Sequence, residues 1–194
     1  MKEQKEQNRK IIEKLRPHYI FNVLWNIQYL YRVDPKRGEK MLMDFSSFLR
    51  GKINDSCYDG LIRFPELFGH TRAYIEMEQV RASNPIILET NFDFVEFEMP
   101  VGVIQPLVEN AIKHGLFAKR TEGKITVSTS VSNDEVCVTI EDDGVGFDIN
   151  EVDRTRAGNI FEVEERMREY YPNAKVVFDS KIDIGTKVTI TFTI

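Results

Sequence analysis

Cysteine is nearly absent from this sequence: among 194 residues there are two, Cys57 and Cys137, in unrelated contexts. That excludes a disulfide framework and a cysteine-rich zinc site, and it fits a reducing compartment. Histidine is almost as sparse. His18, His70 and His114 lie far apart, and none has the spacing of a metal-binding HExxH helix. No run approaches the roughly 18 apolar residues of a membrane span, and Met1 is followed by KEQKEQNRK rather than the apolar core of a signal peptide. A cytoplasmic chain is expected. An excess of cations is missing too: 26 Lys and Arg against 31 Asp and Glu leave a formal net charge of -5. General nucleic-acid binders neutralise phosphates with Lys and Arg, so no nucleic-acid partner is expected.

What remains is a chain that is 42% hydrophobic and 29% charged, enough for one or two domains burying roughly 70% of their unfolded surface. From Gln4 to about Ile53 apolar residues recur at helical spacing: Ile11, Leu15, Tyr19, Val23, Ile27 and Leu30, then Met41, Leu42, Phe45, Phe48 and Leu49. The interruption VDPKRG predicts a short turn and therefore an antiparallel hairpin. A hairpin alone leaves apolar surface uncovered. Either a second copy of the chain, completing a four-helix bundle, or the C-terminal region would cover it. Pro17 is expected to kink the first helix or to start a new segment. The charged leader before it reads as the end of a helix that was longer in a parent protein.

A third helix is expected from Pro65 to about Ala82, and then the texture changes. IILETNFDFVEF, KITVSTSV, EVCVTIED, AKVVFDS and TKVTITFTI alternate as strands do. Helices are expected around Gln105 to His114 and Ile160 to Tyr170, with hairpins at SND and near KIDIG. This order predicts an α+β layer with helices covering one face of a mixed sheet. We place the boundary near Ser83, giving regions 1–82 and 83–194.

Three stretches carry chemistry. In QPLVENAIKHGL, Glu109 and Lys113 are four apart, as are Asn110 and His114, and Gly115 is a natural helix terminator. An ordinary ion pair with a histidine at the helix C-terminus would account for these residues. In IEDDGVGFD, Asp142 and Asp143 emerge at a strand end, and Gly144 and Gly146 allow a sharp turn and close approach of backbone to a ligand. An acidic turn is the plainer reading; the calcium-loop spacing D-x-D-x-D-G is not met. In DIGTKVTITFTI, Gly185 and Thr186 open the last strand.

Order and spacing together say more. PHYIFN from Pro17 to Asn22, QPLVENAIKHG from Gln105 to Gly115, DDGVG from Asp142 to Gly146, and the terminal Gly185-Thr186 pair resemble the motifs of LytS-type sensor histidine kinases over nearly the whole chain. The resemblance implies a helical dimerisation and phosphoacceptor region followed by a Bergerat-type ATP-binding domain. It makes His18 the nucleophile for the γ-phosphoryl of ATP. An ordinary imidazole pKa of about 6.5 leaves most of such a ring neutral near pH 7, and Asn22, one turn on, would fix its tautomer. It further implies that Asp142 accepts from the adenine amino group and that Asn110 holds Mg²⁺ through its amide oxygen. Lys113 and His114 would meet the phosphates. Gly144 and Gly146 would admit the nucleotide at the start of a mobile lid, with Thr186 at the same site. The implied partners are a second copy of the chain and a response regulator whose aspartate receives the phosphoryl group. Membrane attachment would come only through segments of the parent that are absent here. One stretch departs from the pattern. Where such kinases carry two glycines and an asparagine, AGNIFEVEERM has Ala157, Asn159 and Glu162. The alternative is therefore a weak or inactive pseudokinase that signals as a dimeric scaffold.

Overall fold

The computed structural model describes residues 17–57, 60–119, 121–148 and 158–194. The leader before Pro17 and the segment from Ile149 to Ala157, where the lid is expected, lie outside the described residues, as do the side chains of His18 and Asn22.

In its described part the first helix, α1, spans Pro17–Val33, and α2 spans Pro35–Cys57. Asp34 alone separates them. Its Oδ1 accepts the N–H of Arg37 at 3.2 Å, a helix cap of the preferred kind, and Pro35 takes the first helical position, where its missing N–H costs nothing. Val23, Ile27 and Leu30 of α1 are buried in one core with Met41, Phe45 and Phe48 of α2. Leu42, expected in that stripe, is 44% exposed. Phe21, Trp25 and Tyr29 form a second apolar stripe on α1, spaced by four and 69%, 79% and 65% exposed.

Two short strands follow from opposite sides of the third helix: β1, Leu61–Arg63, pairs antiparallel with β3, Glu98–Pro100. Between them run α3, Phe64–Arg81, and β2, Ile86–Phe92. Next come α4, Ile104–Asn110, which passes directly into a π-helical turn over Ala111–Leu116, then β4, Gly123–Ser132, and β5, Glu135–Asp142. Helix α5, Gly158–Tyr170, and strands β6, Lys175–Lys181, and β7, Gly185–Thr193, complete the chain. The five-stranded sheet has the order β2-β4-β5-β7-β6, with β2 and β4 parallel and every other pair antiparallel. This is the expected α+β architecture with a mixed sheet.

Alternation decides which sheet face is covered. Val136, Val138 and Ile140 of β5 lie opposite Phe192, Ile190 and Val188 of β7, and all six are buried. The intervening residues are Thr, Ser, Cys and charged residues, with Lys187–Glu141 and Lys124–Glu89 pairs at 3.3 and 3.2 Å on the open face. At Asn133 and Asp134 the hairpin between β4 and β5 has φ of 51° and 63°, the left-handed pair that a two-residue turn requires.

Two expected elements differ. The strand predicted over 86–97 stops at Phe92, because the chain turns Phe94 and Phe97 into an aromatic cluster. The Phe97 ring lies 4.8 Å from that of Phe64 and 5.9 Å from that of Phe192. The helix predicted to reach His114 as one α-helix changes its hydrogen bonding after Asn110; the N–H of Phe117 reaches back five residues to the carbonyl of Ile112 at 2.9 Å. Single π-helical turns of this kind concentrate at functional sites.

The splice between α3 and the sheet is held by three hydrogen bonds. The N–H of Ile86 donates to Gln79 Oε1 at 2.6 Å, that of Gly123 to the Pro85 carbonyl at 2.9 Å, and Asn84 Nδ2 to the Lys119 carbonyl at 3.4 Å.

Candidate functional site

The apolar inner face of the sheet ends in a polar row. Register places Asp142 of β5 opposite Thr186 of β7, and Thr186 opposite Ser180 of β6, two residues beyond the buried Ile140 and Val188 and so on the same face. The two glycine-containing stretches meet there. A Cβ on Gly115, in the π-helical turn, would stand 2.7 Å from Asp142 Oδ1, and one on Gly144 would overlap the Cα of Gly115. Only glycine at both positions lets these backbones touch. The N–H of Val145 donates to the Gly115 carbonyl at 3.2 Å and seals the contact. The third stretch arrives at the same point: Gly185, with φ of 129°, lies so close to the Asp142 carbonyl that no side chain would fit. Gly146, with φ of 58°, abuts the carbonyl of Lys181 in the same way.

Asp142 is buried, 7% exposed. Its Oδ1 accepts the N–H of Gly144 at 2.9 Å. Burial pushes its pKa up to about 6; the backbone N–H groups of Gly144 and Thr186 oppose the rise, and the neighbouring charges of Asp143 and Glu141 add to it. Near pH 7 most of the population therefore carries a desolvated anion, an environment that rewards a hydrogen-bond donor brought into the site. Asp143 is the contrasting neighbour. Some burial acts to raise its pKa, but Lys119, at 2.8 Å from Oδ2, and the N–H of Lys124, at 2.7 Å from Oδ1, outweigh it and hold the carboxyl below its usual range. One acidic residue clamps the start of β4, and the other faces the site. A cavity of about 250 Å³ borders the clamp, lined by Ser83, Asn84, Leu116, Phe117, Lys119 and Gly123.

On α4 and the π-helical turn the other expected residues separate. Lys113 Nζ lies 2.8 Å from Glu109 Oε2 and 5.8 Å above the Tyr74 ring, while Gln105 Nε2 donates to Glu109 Oε1 at 3.0 Å. The Glu109–Lys113 pair is the ordinary one that the spacing allows. Asn110 is half-buried at the last α-helical position, and His114 is exposed. His18 lies one residue into the described part of α1.

A small hard cation that keeps several waters needs only one or two protein ligands, and the amide oxygen of Asn110 is a ligand of that kind. Among the described residues no group of three or more His, Cys, Asp or Glu side chains could hold a metal ion. The amide oxygen of Asn110 thus fits a cation that keeps most of its waters.

Sequence reasoning placed Asp143 at the strand end without a partner, and it missed Ser180 and Lys119. A serine inside an alternating strand gives no local sign of its role, and the Lys119–Asp143 pair spans two turns whose meeting depends on the sheet register.

Comparison with known proteins gives the following matches. The family model for histidine kinase matches residues 7–86, and that for histidine kinase-, DNA gyrase B- and HSP90-like ATPases matches residues 99–194. The chain is 30% identical over 150 residues to sensor protein LytS of Oceanobacillus iheyensis, covering 76% of this chain and 25% of that protein. It is 29% identical over 157 residues to sensor histidine kinase YpdA of Escherichia coli, covering 80% of this chain and 28% of that protein. The chain thus spans about a quarter of the length of these two relatives. Its fold matches the histidine kinase domain of the blue-light activated histidine kinase of Erythrobacter litoralis EL346 with a TM-score of 0.53, at 16% identity, covering 100% of this chain and 94% of that one. No helix among the described residues is long and apolar enough to cross a membrane.

Proposed function

The chain belongs to the histidine kinase family, in its LytS-type branch, and on that premise we propose that it is the cytoplasmic core of a two-component sensor kinase. In this reading the γ-phosphoryl of ATP passes to His18 and then to an aspartate of a separate response regulator. Residues 1–82 form the dimerisation and phosphoacceptor region, and 83–194 form the ATP-binding domain. The observation that carries the reading is the convergence of three separate stretches on the buried Asp142, with Gly115 and Gly144 against its carboxylate and Gly185 against its main-chain carbonyl.

Asp142 accepts the exocyclic amino group of adenine, and Thr186 lies beside it. Gly144 and Gly146 let the turn beside the nucleotide close against the backbones of Gly115 and Lys181. Asn110 holds Mg²⁺, which when bound offsets the charge of the phosphate oxygens. Lys113 exchanges Glu109 for a phosphate, and His114, free of burial, follows it. The neutral imidazole of His18 supplies the lone pair for attack on phosphorus. The exposed stripe of Phe21, Trp25 and Tyr29 on α1 supports a homodimer: with its other stripe already buried against α2, the helix keeps an apolar face for a second copy. Membrane attachment belongs to the longer parent.

The test is incubation of the purified chain with γ-labelled ATP and Mg²⁺, followed by acid treatment and mapping. Acid-labile label on His18, lost in His18→Gln, is the expected result. Label that survives in His18→Gln would refute the assignment. The departures at Ala157, Asn159 and Glu162 favour a second reading, a pseudokinase scaffold. It predicts a dimer that binds ATP and never acquires label.

A further inference from the structure

Ser180 is 8% exposed, and the hydrogen bonds of its hydroxyl leave little freedom. Its oxygen accepts the N–H of Phe147 at 3.0 Å. Its proton goes to the Gly185 carbonyl at 3.1 Å. Thr186 Oγ1 lies 3.0 Å from the same oxygen. A hydroxyl has one proton to donate and two lone pairs with which to accept. With the Ser180 proton on Gly185, the Ser180–Thr186 contact is made by the proton of Thr186. The Thr186 hydroxyl is then left with lone pairs only. Asp142, across the ladder from Thr186, is likewise an acceptor near pH 7.

From this wiring we infer that Ser180 is a positioning residue that sets the base specificity of the site: it consumes the proton of Thr186 and so presents two acceptors side by side. Such a pair selects a heterocycle that offers an amino group and rejects one that offers a carbonyl at the same place. The inference rests on the nucleotide reading of the Asp142 site and adds the means of discrimination. Without the Ser180 hydroxyl, Thr186 is free to turn and donate, and a 6-oxo purine is no longer rejected at that point. Ser180 also ties down the backbone at Phe147, one residue beyond Gly146, so its loss has a structural effect as well. Discrimination between bases separates the two effects, because a looser backbone weakens every nucleotide alike.

The experiment is to measure binding of ATP and of inosine triphosphate, which differs in carrying a 6-oxo group, to the whole chain, its Ser180→Ala and Thr186→Val variants and the double variant. The preference of the wild type for ATP should fall about tenfold in Ser180→Ala, the worth of one hydrogen bond. In the double variant it should match Thr186→Val alone, since Ser180 acts through Thr186. An unchanged preference in Ser180→Ala, or additive losses in the double variant, would overturn the inference while leaving the nucleotide reading intact. A wild-type chain that binds neither nucleotide overturns both. Should Ser180→Ala fail to fold, Ser180→Cys keeps the volume and weakens the hydrogen bonds, and must lower the same preference.

Discussion

Asp142→Asn should make the ligand-free protein more stable while removing its response to ATP. The carboxyl is raised from 3.8 to about 6 chiefly by burial. At about 1.36 kcal/mol for each factor of ten in proton affinity, that displacement amounts to about 3 kcal/mol. The folded state binds the proton more tightly than the unfolded state. Its contribution to stability is therefore full below pH 3.8 and is lost as the pH rises through about 6. An asparagine carries no charge at any pH, and its Oδ1 still accepts the N–H of Gly144. In a thermal melt near pH 7.5 the variant should unfold higher than wild type by on the order of 5–10 °C, on the usual scale for a chain of this size. The gap should close as both are moved below about pH 4. Saturating Mg-ATP, which at 100 times its dissociation constant adds about 2.7 kcal/mol to a competent site, should shift the wild type and leave the variant unmoved. A variant that melts lower than wild type, or a gap that does not change with pH, would refute the reasoning from burial.

Gly144→Ala places a methyl group on the Cα of Gly115 and should cost about 1–3 kcal/mol or more, read as a lowered melting temperature. Glu109→Gln removes the partner of Lys113. If Lys113 serves the phosphates, ATP affinity measured by calorimetry should rise about three- to fivefold, on the scale of an exposed ion pair; weaker binding would show that the pair itself is needed. Trp25→Asp puts a charge into the exposed stripe of α1 and should shift sedimentation velocity from dimer toward monomer, with at least about a 30-fold loss if Trp25 is a central anchor. A variant that sediments as the wild type would assign the second apolar face of α1 to some other contact.

Local rhythm explains which parts of this fold were legible. Glu135–Asp142 alternates over its full length and forms β5 over those residues, since one face meets the core and the other meets water. The stripe of Val23, Ile27 and Leu30 reads the same way for α1. Three-residue strands such as β1 and β3 leave no period to detect; they form because Ile62 and Met99 are brought opposite each other by elements far apart in sequence. In the same way, Phe94 and Phe97 look like the continuation of a strand until Phe64 and Phe192 draw them inward. At the site, alternation and turn residues place Asp142 at a strand end but say nothing of its burial. That depends on Gly115 arriving from a turn whose change from α to π hydrogen bonding follows no composition rule. The carboxylate was visible in the sequence, whereas its raised pKa was not.

The three hydrogen bonds at the splice between α3 and the sheet have a mechanical meaning. With Ile86 hung from Gln79, Pro85 holding Gly123 and Asn84 holding the carbonyl of Lys119, the end of the helix cannot swivel freely above β2 and β4. Torque applied along α3 bears first on the loop that contains Lys119, and the side chain of Lys119 grips Asp143, next to Asp142. The helices and the polar row are therefore coupled through this short strut, beside the packing of α3 against α4 and of Tyr74 under Lys113. The stiffness of the strut helps set how much of any twist delivered from the helical end reaches that carboxylate.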